Sequence, residues 1–402
     1  MPSEASVSSR TFNYFELLRG EHVRKQMGFG FLSRLPVGAA GVAIVIAVSA
    51  STGSYAIAGS ASAVYALFAA ILAPVWARIM DRKGQNGVLF RNGLVQFFLY
   101  ALLAALCHFE ANTIPILLSC AAIGFFSLDV GSVVRSRWVF IHPEESKQRT
   151  AFMFESAVDE AVFALAPILV TTIAVLQTPY ALVLVAMGPL LGWVGLSILA
   201  APRPSEPCGD APNASTQRLL SKSFISLLAV FVAMGGMLGS IEVVLVASAM
   251  EIDMPVNAGF ALAGWATGSG LTALFLGMHL SKLRAEVLSI LGIAVMTLFT
   301  LLLSGNLSLM WQITFCFFAG AGAAPAISSG FSLATRLVPS ARVTEALALT
   351  STGLGLGTVA GASSGGFVAE YFSFTQAYYL SVGFGLLAGV ISWFNGTLQS
   401  ES

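Results

Sequence analysis

The chain has 402 residues, of which 56% are hydrophobic and 10% are charged, and its mean hydropathy is +0.82. A water-soluble domain carries roughly 25% charged residues, so this composition excludes a soluble globular protein and implies a chain that crosses a membrane repeatedly. The net charge of zero gives nucleic acid nothing to recognise. The four cysteines, Cys107, Cys120, Cys208 and Cys316, show neither metal spacing nor a disulfide pattern, so no cofactor and no metal are expected.

Residues 1–27 are polar, and Phe12, Phe15 and Leu18 form one face of a short interfacial helix on the cytoplasmic side. No short apolar core with a small-residue cleavage site is present, so no cleaved signal peptide is expected. Apolar runs then predict spans at 28–50, 57–80, 87–108, 112–137, 150–176 and 179–201. A polar, Pro-containing linker follows at 202–221. Six more spans are predicted at 222–250, 257–280, 284–304, 308–334, 343–370 and 373–395, with a tail at 396–402. The expected fold is an all-α polytopic membrane protein of about twelve transmembrane helices. Residues 28–201 form one six-helix half and 222–395 the other.

The basic residues orient the bundle. Arg78, Arg82, Lys83 and Arg91 fall at the turn between spans 2 and 3, and Arg135, Arg137, Lys147 and Arg149 at the next even-to-odd turn. Arg203, Arg218, Lys222, Lys282, Arg284, Arg336 and Arg342 continue the series. The segments joining odd to even spans contain no Lys or Arg. This is the positive-inside asymmetry, and it places both termini in the cytoplasm.

The stretch between spans 2 and 3, Ala77-Arg78-Ile79-Met80-Asp81-Arg82-Lys83-Gly84-Gln85-Asn86-Gly87, is a charged hairpin between two apolar runs. It resembles the signature loop of the major facilitator superfamily, Gly-x-Leu-Ala-Asp-Arg-x-Gly-Arg-Lys. Asp81, Arg82 and Gly84 match it, and Gln85-Asn86 stand where that loop has its basic pair. The halves repeat weakly: Gly277-Met278-His279-Leu280-Ser281-Lys282 aligns with the first loop but has lost its Asp. The runs Arg34-Leu35-Pro36-Val37-Gly38 and Thr352-Gly353-Leu354-Gly355-Leu356-Gly357 are similar to those of actinobacterial drug-efflux permeases. Two exporter motifs depart from the pattern. Cys120 falls where a span 4 arginine is expected, and Ala166-Pro167 is what remains of a glycine-rich motif in span 5.

The resemblance implies a secondary transporter of the bacterial cytoplasmic membrane, a monomer in the lipid bilayer, whose halves rock around a small-molecule substrate. Proton-coupled export of an amphipathic compound is the leading expectation. Proton-coupled uptake of a metabolite is the alternative, and a non-transporting receptor or scaffold a third. No enzyme is expected, because no nucleotide loop, metal cluster or nucleophile–His set is apparent.

Ionisable groups inside the bilayer are costly, so each needs a partner or a task. Arg34, Asp129, Glu155 and Asp159 fall at similar depths, and Glu155 and Asp159, four apart, share a helix face. With Glu160 they are expected to form one buried cluster. Three or four carboxylates against one arginine cannot all stay ionised there, so at least one is expected to carry the coupling proton, with Asp129 and Asp159 favoured; the alternative is a static ion-pair network. Glu242 stands alone in span 7, to be buried and protonated or turned to water or a cationic substrate. Asp81, with Arg78, Arg82 and Gly84 around it, is implied by the resemblance to gate the inner side, with Arg135 or Arg137 as its partner. Gly353, Gly357, Gly361 and Gly365 recur every four residues on span 11. They are expected to meet the small face Ala58, Ser62, Ala66 and Ala70 of span 2 at the moving interface, or else to pack within their own half. Tyr65, Gln96, Trp265 and Gln312 are candidates to line the cavity, with Trp311 a candidate or an interfacial anchor.

Overall fold

The computed structural model describes residues 19, 21–142, 144–174, 176–200, 221–251, 256–280, 282–305 and 307–400. The interfacial helix, the central linker and the last two residues lie outside the described residues, apart from Arg19 and Ser221.

Span 1 is Glu21–Ser33 and Leu35–Thr52, span 2 Tyr55–Lys83, span 3 Gln85–His108, and span 4 Thr113–Phe125 and Val130–Ile141. Span 5 is Glu145–Ala174. Span 6 runs from Thr178 to Ile198 through a π-helical turn at Gly188–Trp193. In the second half, span 7 is Lys222–Glu251, and span 8 runs from Val256 to Leu280 with a π turn at Thr272–Leu276. Spans 9 to 12 are Ala285–Leu303, Leu309–Arg336, Val343–Tyr371 and Phe374–Ser400. Among these, eleven are long and apolar enough to cross a membrane. The remaining one, span 11, has 29 residues, about 43 Å at 1.5 Å each, but is rich in Gly, Ser and Thr.

Tight turns join the spans. Gly53 closes span 1 with φ +67° and Gly84 separates spans 2 and 3 with φ +88°, a backbone that a Cβ disfavours. Two spans are interrupted where the charges lie. In span 1, Pro36 has no N–H for the carbonyl of Leu32, and its ring disturbs the preceding turn. Arg34 N bonds Phe31 O at 3.2 Å and Val37 N bonds Arg34 O at 2.9 Å, so Ser33 O is left to accept Trp193 Nε1 of span 6 at 2.9 Å.

In span 4 the break at 126–129 frees carbonyls that side chains satisfy. Ile123 O accepts Gln96 Nε2 at 2.5 Å, Phe125 O accepts Trp76 Nε1 at 2.6 Å, and Phe126 O accepts Asn92 Nδ2 at 3.3 Å. Asp129 then caps the second segment through Ser132 N at 3.2 Å.

The packing is not uniform with depth. One apolar core holds only outer residues of the first half, including Ile44, Val48, Leu103, Ile116 and Leu182. A second holds only residues of the second half, including Met234, Ile241, Trp265 and Met296. A third is shared by both: Trp76, Met80, Leu89, Val134, Trp138 and Phe152 pack with Phe224, Phe231, Phe331, Val343 and Leu347. The halves are therefore joined at their cytoplasmic ends and part toward the outside.

The glycine ridge of span 11 does not face span 2. A Cβ on Gly357 or Gly361 would run into backbone of Val232 and Gly236, and one on Gly365 would meet Ser240 at 2.8 Å, all in span 7. The ridge serves packing within its own half. The small face of span 2 is dispersed as well: Ala58 is buried in the first-half core, Ser62 lies against Gly41 of span 1, Ala66 is exposed and Ala70 half-buried. Spans 2 and 11 do meet, but at their inner ends.

Candidate functional site

Arg34 stands at the interruption of span 1, about 20 Å along the axis from Glu21, and Asp159 is about as far from the start of span 5. The side chain of Arg34 is 2% exposed and that of Glu155 is fully buried. The guanidinium of Arg34 pairs with Glu155 through Nη2 and with Asp159 Oδ1 through Nε at 2.7 Å; Nη1 donates to Gly30 O at 3.0 Å. Asp159 Oδ2 takes a second guanidinium, Arg135 Nη2, at 2.5 Å. Glu155 Oε1 accepts Trp138 Nε1 at 2.6 Å. The expected cluster of spans 1, 4 and 5 is thus present, with a different count: two arginines face two carboxylates, and their charges balance.

Arg135 was placed at the gate by sequence, and Arg137 with it. Two residues apart, they point to opposite faces of span 4 and cannot share a partner. Arg135 is also centred 4.4 Å from the Phe331 ring of span 10, so the cluster touches the second half. Trp138, three residues from Arg135 on the same face, is a member that sequence reasoning passed over. The available signal was an indole N–H deep in an apolar helix, which needs an acceptor.

Two of the expected carboxylates stand apart. Asp129 is bound to Ser132 through N–H and hydroxyl and makes no ion pair with Arg34. Glu160 lies a turn above Ala157, which packs on Ala273 and Ala324 across the cleft; its carboxylate meets the hydroxyl of Ser269 in span 8. Glu242 is not buried but exposed. It is 11 residues from Phe231, so the two lie within about 20° on the face of span 7 that joins the shared core. Ser240, on the opposite face, bonds Ser381 of span 12 at 2.6 Å. Glu242 therefore looks into the space between the halves.

Below the cluster is the gate. Asp81 accepts Thr344 N at 3.2 Å and Glu345 N at 2.8 Å, the free N–H groups of the first turn of span 11. It is a helix cap supplied by the opposite half, favoured also by the helix dipole. This differs from the expected pairing with Arg135 or Arg137. The cap needs a short acceptor at the end of span 2, and the turn at Gly84 presents it. Glu345 in turn holds Arg342 Nη2 at 2.8 Å and approaches Arg78 Nε at 3.9 Å; Arg82 is exposed. Gln85 Nε2 reaches Thr344 Oγ1 at 3.4 Å. On the other side of the inner face, Arg336 bridges Glu145 and Glu286, the latter at 2.8 Å.

The cavity candidates fare less well. Gln96 is fully buried and Trp265 is 9% exposed in the second-half core. Tyr65 turns inward to Ser127 and Tyr100. Gln312 Nε2 bonds Leu307 O at 3.3 Å at the outer end of span 10, where Trp311 is exposed beside Phe315. Among these residues, polar groups hold helix ends together rather than line a cavity.

Residues 227–400 match the sequence profile of the Major Facilitator Superfamily. No curated protein matches the chain by sequence. In fold it is similar to a bacterial homologue of the iron transporter ferroportin in an outward-facing state, at TM-score 0.75 and 16% identity, covering 93% of this chain and 99% of that one. The Escherichia coli fucose:proton symporter FucP superposes at TM-score 0.69 with 14% identity over 92% of this chain and 98% of that one. The human organic anion transporter MFSD10 does so at 0.66 with 14% identity over 93% and 100%. Family and fold are those of transporters rather than enzymes. By sequence over its second half, and by fold over nearly all its length, the chain belongs to the Major Facilitator Superfamily.

Proposed function

We propose that the chain is a secondary carrier working by alternating access, which exports a small amphipathic cation in exchange for protons. The observation that carries this reading is the division of the cores. One core joins the halves at the inner ends, and two separate cores leave the outer ends apart. A substrate site between the halves is then open to the outside and sealed from the cytoplasm.

The substrate class follows from the charges. Arg34 and Arg135 are compensated within the first half. Glu160 and Glu242 face the cleft from opposite halves without a basic partner, so the cleft favours a cation. The coupling proton also falls to the carboxylates outside the balanced square. Asp159, held by two guanidinium groups, is a poor proton acceptor; Glu160 and Asp129 are better placed. Direction rests on the likeness of Arg34–Gly38 and Thr352–Gly357 to efflux permeases. Inward symport is the second reading, favoured by the fold shared with a fucose:proton symporter. In this reading the protein acts as a monomer in a bacterial cytoplasmic membrane with both termini inside.

Proteoliposomes of purified protein test the reading. Lipophilic cations should produce a substrate-dependent pH change that neutral analogues of the same size do not, and Glu160→Gln should abolish net coupled movement while substrate exchange persists. Flux without any pH change would remove the proton. Equal flux of neutral and cationic compounds would remove the cation preference. Opposite imposed gradients separate export from uptake.

A further inference from the structure

Arg137 is the exception among the buried arginines. Arg34, Arg135, Arg149 and Arg342 each meet a carboxylate. Arg137, 0% exposed, meets none. Its Nε donates to Gln85 Oε1 at 2.9 Å, and its Nη2 to Asn86 Oδ1 at 3.3 Å and Leu196 O at 3.1 Å. Its Nη1 has no acceptor. A guanidinium taken out of water with neutral acceptors and an idle donor keeps much of its desolvation cost. In this state nothing repays that cost.

The nearest gate carboxylate is one residue away along a continuous chain of contacts. Asp81 holds Thr344, Thr344 Oγ1 meets Gln85 Nε2, and Gln85 Oε1 meets Arg137. Asp81 and Gln85 sit on either side of the Gly84 turn. When the inner ends part, span 11 carries Thr344 and Glu345 away. Asp81 then loses both of its N–H donors, and Gln85 loses Thr344. The other charges nearby are otherwise engaged or in solvent: Arg78 and Arg342 lie on Glu345, and Arg82 and Lys83 are exposed. We infer that Arg137 is the second partner of Asp81, which passes from the N-terminus of span 11 to the guanidinium as the inner gate opens. Gln85 and Asn86 hold Arg137 in place until then. The inference rests on the alternating-access reading and adds a residue that makes the inward-open state affordable.

A double-mutant cycle tests it. Gly87 and Ser340 are exposed at the inner ends of opposite halves, and a Cβ on Gly87 meets nothing within 4 Å. With Cys208→Ser, spin labels on Gly87→Cys and Ser340→Cys report the inner distance over pH and added cations. Arg137→Gln should shift the population toward the short, closed distance roughly tenfold, the scale of one hydrogen bond to a charged group. In the Asp81→Asn background the same change should shift nothing further. Arg137→Lys should restore part of the wild-type ratio and, should the Gln variant not fold, carries the same cycle. An equal shift in both backgrounds, or a lower melting temperature with an unchanged ratio, would overturn the exchange. A protein showing one inner distance under all conditions, Asp81→Asn included, would overturn the alternating-access reading and the exchange with it.

Discussion

At Arg34, a helix interrupted by a proline, a second arginine and two carboxylates close a charge-balanced ring. Removing one member leaves a buried charge uncompensated, which typically costs 3–5 kcal/mol. Glu155→Ala is therefore expected to lower stability by about that amount, read as loss of folded protein in thermal melts; a change under about 1 kcal/mol would contradict the burial of the pair. The cleft carboxylates behave differently, because they have no partner to strand. Glu242→Gln should raise KM for cationic substrates roughly tenfold with little change in kcat or melting temperature, the pattern of a lost ground-state contact. An unchanged KM would remove Glu242 from the binding wall. Legibility at this scale was mixed. The depth and four-residue spacing of Glu155 and Asp159 announced the cluster. The count of arginines did not follow from depth, because Arg135 reaches the cluster with a long side chain from nearer the inner end.

Helix ends rather than helix centres carry the working parts. The cap of span 11 by Asp81 crosses from one half to the other, and a cap is worth about 0.5–2 kcal/mol. Asp81→Ala should thus reduce the inner-closed population by a factor of about 2 to 30, measurable as the ratio of inner distances; no shift would mean that the cap does not hold the gate. The interrupted span 4 depends on Trp76, Asn92 and Gln96 for its freed carbonyls. Gln96→Leu should leave Ile123 O buried without a donor, at about 1–3 kcal/mol. The glycine ridge of span 11 permits contact with span 7 at backbone distance. Gly361→Leu is expected to unfold the second half rather than only to slow cycling; normal yield and melting temperature with blocked transport would return the ridge to the moving interface. Period four in the sequence marked a close approach but did not name the neighbour, since spans 2 and 7 both lie beside span 11.

Across the whole molecule the halves share a core only at the cytoplasmic ends. A thiol placed at Glu242 by Glu242→Cys should react with a membrane-impermeant reagent added outside. One placed by Ser328→Cys should not, because Ser328 is 1% exposed and meets Met153 of the other half at 2.8 Å. Labelling of Ser328→Cys from outside in the inner-closed state would contradict the seal.

By itself the sequence determined the number of spans, their orientation and the identity of the gate loop. These depend on local quantities: an apolar run must be about 20 residues to cross the bilayer, and basic residues stay in the cytoplasm. The breaks at Pro36 and near Asp129, the partner of Asp81, the neighbour of the glycine ridge and the balance of the charge cluster were decided by tertiary structure. Each depends on which helix face meets which, and two residues on one strip of sequence, such as Arg135 and Arg137, can be sent by a 200° turn of the helix to sites with opposite tasks.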